Sequence, residues 1–494
     1  ELAHRFWTPQ RLRTLRRYTL RSAAVVIIAA VVAVAGYEIF LRRQAAAARA
    51  AGGGAARLTE LVLKNQPSAA SEDNAWPSLL RAIERMDTAD REVGRNNAQR
   101  PVTSTGTPLE PRFDALVGPA PDLTQSRGGQ PPDLEYARGC IDLARQMLVK
   151  YESSGVYEQL AEAAARPSAM RPIAVTQGEP LMNLLLPELG PSRQLARICA
   201  ARMQLSLESD DPIAFRQSLE QGLGLARMIN QQPLLLDGMV GTSIESLLLE
   251  RIRKTLDKSP SPAIVDAMAD AIARQPIATL GPYHVQGERI VAIDNIAWVF
   301  SDPSKARWGP MSPALAQVFG APTRAGRLST FAHNRGAFEK HFDDLEAQLK
   351  ADPHERPPRT TTASNLMLLN LLSPATERTV QVRDKIVLQR AGVIAMIAIE
   401  RHRHRTGAYP AALAEIPADL LASPPIDPYS RNPLGYRRLD APDAHGRGYI
   451  LYSVGHDGTD DGGVDAEADR KRSGTLQVGP TDIILNEPDR DAAR

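Results

Sequence analysis

The sequence predicts a mainly α protein with a C-terminal α+β domain, and three observations carry that expectation. Hydrophobic residues make up 43% of the chain but aromatics only 5%, and Ala and Leu are plentiful. That balance favours helix over a β-sandwich. From Pro132 to Pro276 one segment after another places apolar residues at three-to-four spacing, the period of a helix face. Near the C-terminus a single β-type run, Tyr449 to Val454, stands ahead of a loop dense in Asp and Gly.

At 494 residues the chain is long enough for two or three domains. Its 59 basic and 57 acidic residues leave a net charge of +2, so the whole chain lacks a nucleic-acid footprint. The charge is biased only locally. Arg5, Arg11, Arg13, Arg16, Arg17 and Arg21 crowd residues 1–22, read as a basic cytoplasmic arm.

Residues 23–41 are apolar apart from Glu38. At 1.5 Å per residue they reach about 28 Å, close to the hydrocarbon thickness of a bilayer. Glu38 lies near the far end, where it can snorkel to the headgroups. Arginine before the segment predicts a single-pass inner-membrane protein with a cytoplasmic N-terminus and an exported remainder. The alternative is a signal peptide cut after Ala33-Val34-Ala35.

Residues 42–132 read as a tether, short helices and a connection. Ala45–Ala56 is an Ala/Gly tract leaving the membrane. Helical spacing follows at Arg57–Lys64, and Asn74-Ala75-Trp76-Pro77 opens a helix running to Met86. Asn96–Pro132 is rich in Pro, Gly, Thr and Ser.

Residues 133–375 form the helical exported region. Helices are expected at Leu134–Tyr151, Arg193–Glu208, Pro212–Ile229, Pro233–Leu256, Pro262–Arg274, Gly287–Phe300 and Phe331–Leu349. The breaks at Asp210-Asp211-Pro212 and Ser259-Pro260 are short, so neighbours should run antiparallel. Cys140 and Cys199 both fall on these helices. They are either a disulfide of an exported domain or two buried thiols. Leu366–Leu372 is apolar and breaks at Ser373-Pro374, and a long helix from Thr376 to Arg405 begins the last region, 376–494.

The chain carries no Gly-x-Ser-x-Gly, His-Glu-x-x-His, Walker or dinucleotide motif. His402 and His404 stand two apart on a helix end and face different sides. An enzyme is therefore not expected.

The loop after the β-type run gathers Asp457, Asp460, Asp461 and Asp465 among Gly455, Gly458, Gly462 and Gly463. The glycines permit φ > 0, and the carboxylates repel one another unless a cation sits among them. An EF-hand is not expected, because its twelfth position is Ala468 and a strand precedes the loop. Tyr452-Ser453-Val454-Gly455-His456-Asp457-Gly458 with Asp482-Ile483 downstream resembles the calcium loop of the major pseudopilin of type II secretion systems. Upstream, Arg403 to Pro410 with Leu413, then Pro425 to Ser430, then Asn432 to Tyr436 are similar to that family's segments in the same order. The likeness covers Thr379 to Leu485.

The resemblance implies a long helix packed on a small antiparallel sheet, with strands near Leu434–Arg438, Tyr449–Ser453 and Asp482–Leu485. It implies calcium held by the side chains of Asp457 and Asp482 and the carbonyls of Val454 and Pro480. A serine of the family pattern is Ile484 here, and Asp460, Asp461 or Asp465 could supply the missing oxygen; Asp461 is taken into the ligand set. The family's leader junction, with its Gly and early Glu, is absent, so filament assembly by that route is not expected. The whole reads as a membrane-anchored structural or interaction protein, its partners being the membrane and proteins of a secretion or pilus-like apparatus. A stand-alone helical scaffold or adaptor is the first alternative, and a metal-dependent hydrolase using His456 and the Asp cluster the second.

Overall fold

The computed structural model describes residues 32, 34–66, 72–93, 109–113, 116, 134–301, 331–356 and 367–487, apart from 177, 444–445 and 465–481. It is mainly helical with one three-stranded antiparallel sheet, as the composition and spacing predict.

Helix α1 covers residues 34–50, followed by α2 Gly54–Asn65, α3 Trp76–Glu92, α4 Leu134–Ser153 and α5 Val156–Ala165. Then come α6 Leu189–Glu208, α7 Pro212–Asn230, α8 Leu235–Leu256, α9 Pro262–Arg274, α10 Pro282–Phe300 and α11 Phe331–Lys350. The starts are written in the chain. Asp211 accepts from the amides of Ile213 and Ala214 with Pro212 behind it, and Ser261 accepts from Ile264 with Pro262 behind it. Both are side-chain caps that satisfy first-turn amides. The cap of α3 is Ala75, and Asn74 before it accepts on Oδ1 from the amides of Trp76 and Met170.

Two expectations are corrected. Residues 45–50 are not a tether but the end of α1, with Ala45 and Ala48 buried, and Ala51 after them is buried too. Small side chains at three-residue spacing let this helix approach its neighbours closely. The long helix, α12, spans Met367–Thr406 and runs through Ser373-Pro374 rather than starting after it. Cys140 and Cys199 are both buried and unpaired.

Strands β1 Gly435–Arg438, β2 Tyr449–Ser453 and β3 Ile483–Ile484 form the sheet in that order. Gly435 faces Tyr452 and Arg438 faces Tyr449, while Tyr452 faces Ile484. All of β2 is buried, because it lies between two strands and packs on α12. One continuous core runs from Trp76 on α3 through α6 to α9, and on to Ile386–Ile399 of α12 and Leu451 of β2. A second core joins Ala48 and Ala51 to Leu280, Ile296, Phe338 and Phe342. Among the described residues no helix is long and apolar enough to cross a membrane. Most of the apolar stretch 23–41 lies outside them.

The tightest helix contact is at Gly287 of α10, where a Cβ would run into the Pro233 carbonyl. That oxygen is backbone, so it cannot rotate away. Gly287→Ala is expected to lose about 2–3 kcal/mol by overpacking. Gly190→Ala on α6, where a Cβ meets nothing within 4 Å, is the control and should be neutral or slightly stabilising. Chemical denaturation of the two variants checks this; equal midpoints would mean that the α10 contact is loose.

Candidate metal loop and the adjoining cleft

The end of β2 is held by a carboxylate that sequence reasoning passed over. Asp427 is wholly buried. Its Oδ1 accepts from the Tyr429 amide and the Ser453 hydroxyl, and its Oδ2 from the Val454 amide at 2.8 Å. Three donors compensate the burial of one charge, and they clamp the Pro425–Ser430 turn to the point where the strand becomes the loop. The only sign in the sequence was Asp-Pro before an aromatic, which does not say what the side chain reaches.

Beyond the clamp the backbone takes positive φ at Gly455, Gly458, Gly462 and Gly463, turning the chain back toward β3. Asp460 Oδ1 accepts from the Tyr452 hydroxyl and the Gly462 amide, both at 2.9 Å. Asp482, the residue before β3, is buried at 7% exposure. Its Oδ2 accepts from the Gly463 amide at 2.8 Å, its Oδ1 is buried with no hydrogen-bond partner among the described residues, and the amides of Gly463 and Asp461 both favour the ionised carboxyl. Burial pushes the Asp482 carboxyl above its ordinary range, and the charges of Asp461 and Asp460 push it further.

The remaining expected ligands fall differently. Val454 is buried and its amide is spent on Asp427. Asp457 is exposed, with Oδ1 accepting from the Thr459 amide, and it lines a separate recess of about 450 Å³ with His354, Arg356 and Asp384. Pro480 lies outside the described residues. His456 stacks edge-on against Tyr429, ring centroids 4.7 Å apart.

Carboxylates and inward-turned carbonyls are the oxygen set calcium takes, but Asp460, Asp461 and Asp482 do not bring three side-chain oxygens close enough to share an ion. Among the described residues, the one group of three side chains close enough to share an ion is Asp352, His354 and Glu355. Arg431 pairs with Asp352 at 3.3 Å and Glu355 at 2.8 Å, so that charge is already met.

Beside the loop, α8, α12 and the β3 segment enclose an open cleft of about 830 Å³. Leu249, Leu388 and Ile484 give it apolar walls, and Arg253, Lys254 and Lys385 share its polar margin with Glu250 and Glu487. Arg253 reaches across from α8 to the Glu487 carbonyl. No family model, no curated protein and no solved structure matches the chain.

Proposed function

We propose that this is a membrane-anchored structural or interaction protein whose pseudopilin-like C-terminal region is stabilised by calcium. Its place is within or beside a type II secretion or pilus-like apparatus. What supports the calcium reading is the buried Asp482 carboxylate under the charges of Asp461 and Asp460, its Oδ1 without a hydrogen-bond partner among the described residues. An orphaned buried acceptor destabilises the fold by about 1–3 kcal/mol, and a bound cation removes that cost. The link to secretion rests on the order of the motifs between Thr379 and Leu485. A stand-alone adaptor is the second reading, favoured by the cleft between α8, α12 and β3, whose walls suit an apolar partner segment. Crosslinking in membranes and identification of the captured proteins separates the two readings.

Calcium at 1–2 mM should stabilise the full chain by roughly 1.4–1.8 kcal/mol if the site binds at about 10⁻⁴ M. Magnesium should do less, because it demands tight octahedral geometry. Asp482→Asn should abolish most of the calcium effect, and Asp457→Asn tests the exposed ligand that the family likeness implies.

The pH dependence has a definite sign. A carboxyl whose folded pKa is raised holds its proton longer folded than unfolded. Its stabilisation is therefore full at acid pH and is lost as pH rises through the folded value. In chelator, the contribution of Asp482 should fall as pH rises from about 4 toward neutrality; in calcium, which binds the deprotonated form, it should not. Thermal melts in calcium, magnesium and chelator across that range decide it, and coincident curves would leave the loop a solvated acidic turn.

A further inference from the structure

Helix α1 changes character along its length. At its start Val32, Val34, Tyr37, Ile39 and Phe40 are all exposed, between 42% and 64%. At about 100° per residue these positions spread over roughly 220° of the helix, and the exposed Ala35 falls in the remaining arc, so they do not form one face. A protein partner covers one stripe; only a surrounding apolar medium covers all sides. From Leu41 onward the pattern becomes one-sided: Leu41, Ala45, Ala48 and Ala51 are buried while Arg42, Arg43 and Arg49 are exposed.

The buried side is fixed by specific bonds. Gln44 Oε1 accepts from the Phe331 amide that opens α11, at 2.9 Å. Arg49 Nη1 donates to the Ser301 carbonyl just past α10, at 3.0 Å. Arg57 donates to the Ala51 carbonyl, and Asp294 of α10 accepts from the Gly54 amide. Gln44 is four residues past Phe40, the last of the exposed apolar residues, a rise of about 6 Å. The first hydrogen bond to the body therefore comes little more than one helical turn beyond it.

We infer that α1 is a rigid junction between lipid and protein. Its first part is surrounded by acyl chains, Arg42 and Arg43 lie at the headgroups, and the rim formed by the end of α10 and the start of α11 is held against the bilayer surface. The inference rests on the membrane-anchor reading and adds to it a fixed pose: the body cannot swing on a tether, so any partner meets it at a set height and orientation above the membrane.

Spin labels on the full chain in lipid nanodiscs test both parts separately. Cys140 and Cys199 are buried, and labels are placed at Ala46→Cys on α1 and Lys340→Cys on α11, both exposed positions. The expected result is one narrow distance peak between them, lost when Ala48→Glu is added. A broad distribution without that substitution overturns the junction. Single labels at Val34→Cys, Ile39→Cys and Arg43→Cys report collisions with oxygen and with a water-soluble nickel complex. Oxygen should dominate at the first two and nickel at the third. Nickel access at Val34 and Ile39 overturns the lipid assignment, whatever the distance measurement gives.

Discussion

Arg390→Met is expected to cost the folded chain about 3–5 kcal/mol at pH 7, because it leaves a buried carboxylate without its cation. Arg390 on α12 donates to Glu245 Oε1 of α8 at 2.5 Å and to the carbonyls of Ile272 in the last turn of α9 and Gln275 just after it. Glu245 is 1% exposed and also receives the Ala278 amide. Even with this pairing, burial holds the Glu245 carboxyl above its ordinary range, so losing the guanidinium raises it further. The sign follows: a raised carboxyl stabilises the fold below its unfolded pKa, and that contribution is lost as pH rises through the folded value. The deficit of Arg390→Met should therefore be smaller at pH 5 than at pH 8. Adding Glu245→Gln, which keeps an acceptor for Ala278, should recover much of it. Because the pair bolts α12 to α8 and α9, the single variant should also melt in two steps, the C-terminal region first. A loss under about 1 kcal/mol with one cooperative transition would show that apolar packing alone joins them.

The parts of this arrangement differ in how far the sequence discloses them. Local signals were readable. Asp211-Pro212 and Ser261-Pro262 start helices where the caps say they should, and Tyr449–Ser453 is a strand because aromatic and β-branched residues suit a pleated surface. The tract at 45–51 was misread for a physical reason. Alanine carries too little hydrophobic contrast for a stripe to stand out, yet at positions 45, 48 and 51 its small size is what permits close packing. Helix α5, Val156–Ala165, buries Val156, Tyr157, Leu160 and Ala163 at helical spacing, but at ten residues it is short for a periodic signal to stand out. The polar core was not readable at all. Glu245 and Arg390 are 145 residues apart, and Asp427 finds its partners on a strand 26 residues away. Arg171 meets Glu188 and Asp237 in a buried cluster that no spacing announces. Of the acidic loop, the carboxylates and glycines were evident, but not that Asp482 is buried and Asp457 exposed.

A second large effect is expected in acid. His284 of α10 is fully buried between two backbone groups: its Nδ1 accepts from the Gly281 amide at 3.2 Å, and its Nε2 lies 2.7 Å from the Asn230 carbonyl. A nitrogen that accepts cannot carry a proton, so the ring is the neutral tautomer donating from Nε2. Burial lowers its pKa to about 4. An imidazole whose folded pKa is depressed gives stability that is full above the unfolded value near 6.5 and lost as pH falls from there toward 4. The window spans about 2.5 units, so roughly 3 kcal/mol should disappear across it. His284→Gln keeps the polar contacts in part and removes the titration. The difference in unfolding free energy between the parent chain and this variant cancels the carboxylates common to both. That difference should favour the parent at pH 7.5 and shrink steadily to pH 4. Parallel curves would mean that the ring is already protonated in the fold or reaches water. The same residue touches Gly238 of α8, where any Cβ would meet the imidazole. Its protonation would thus push directly on the contact between α8 and α10, and acid should loosen that contact before the C-terminal sheet.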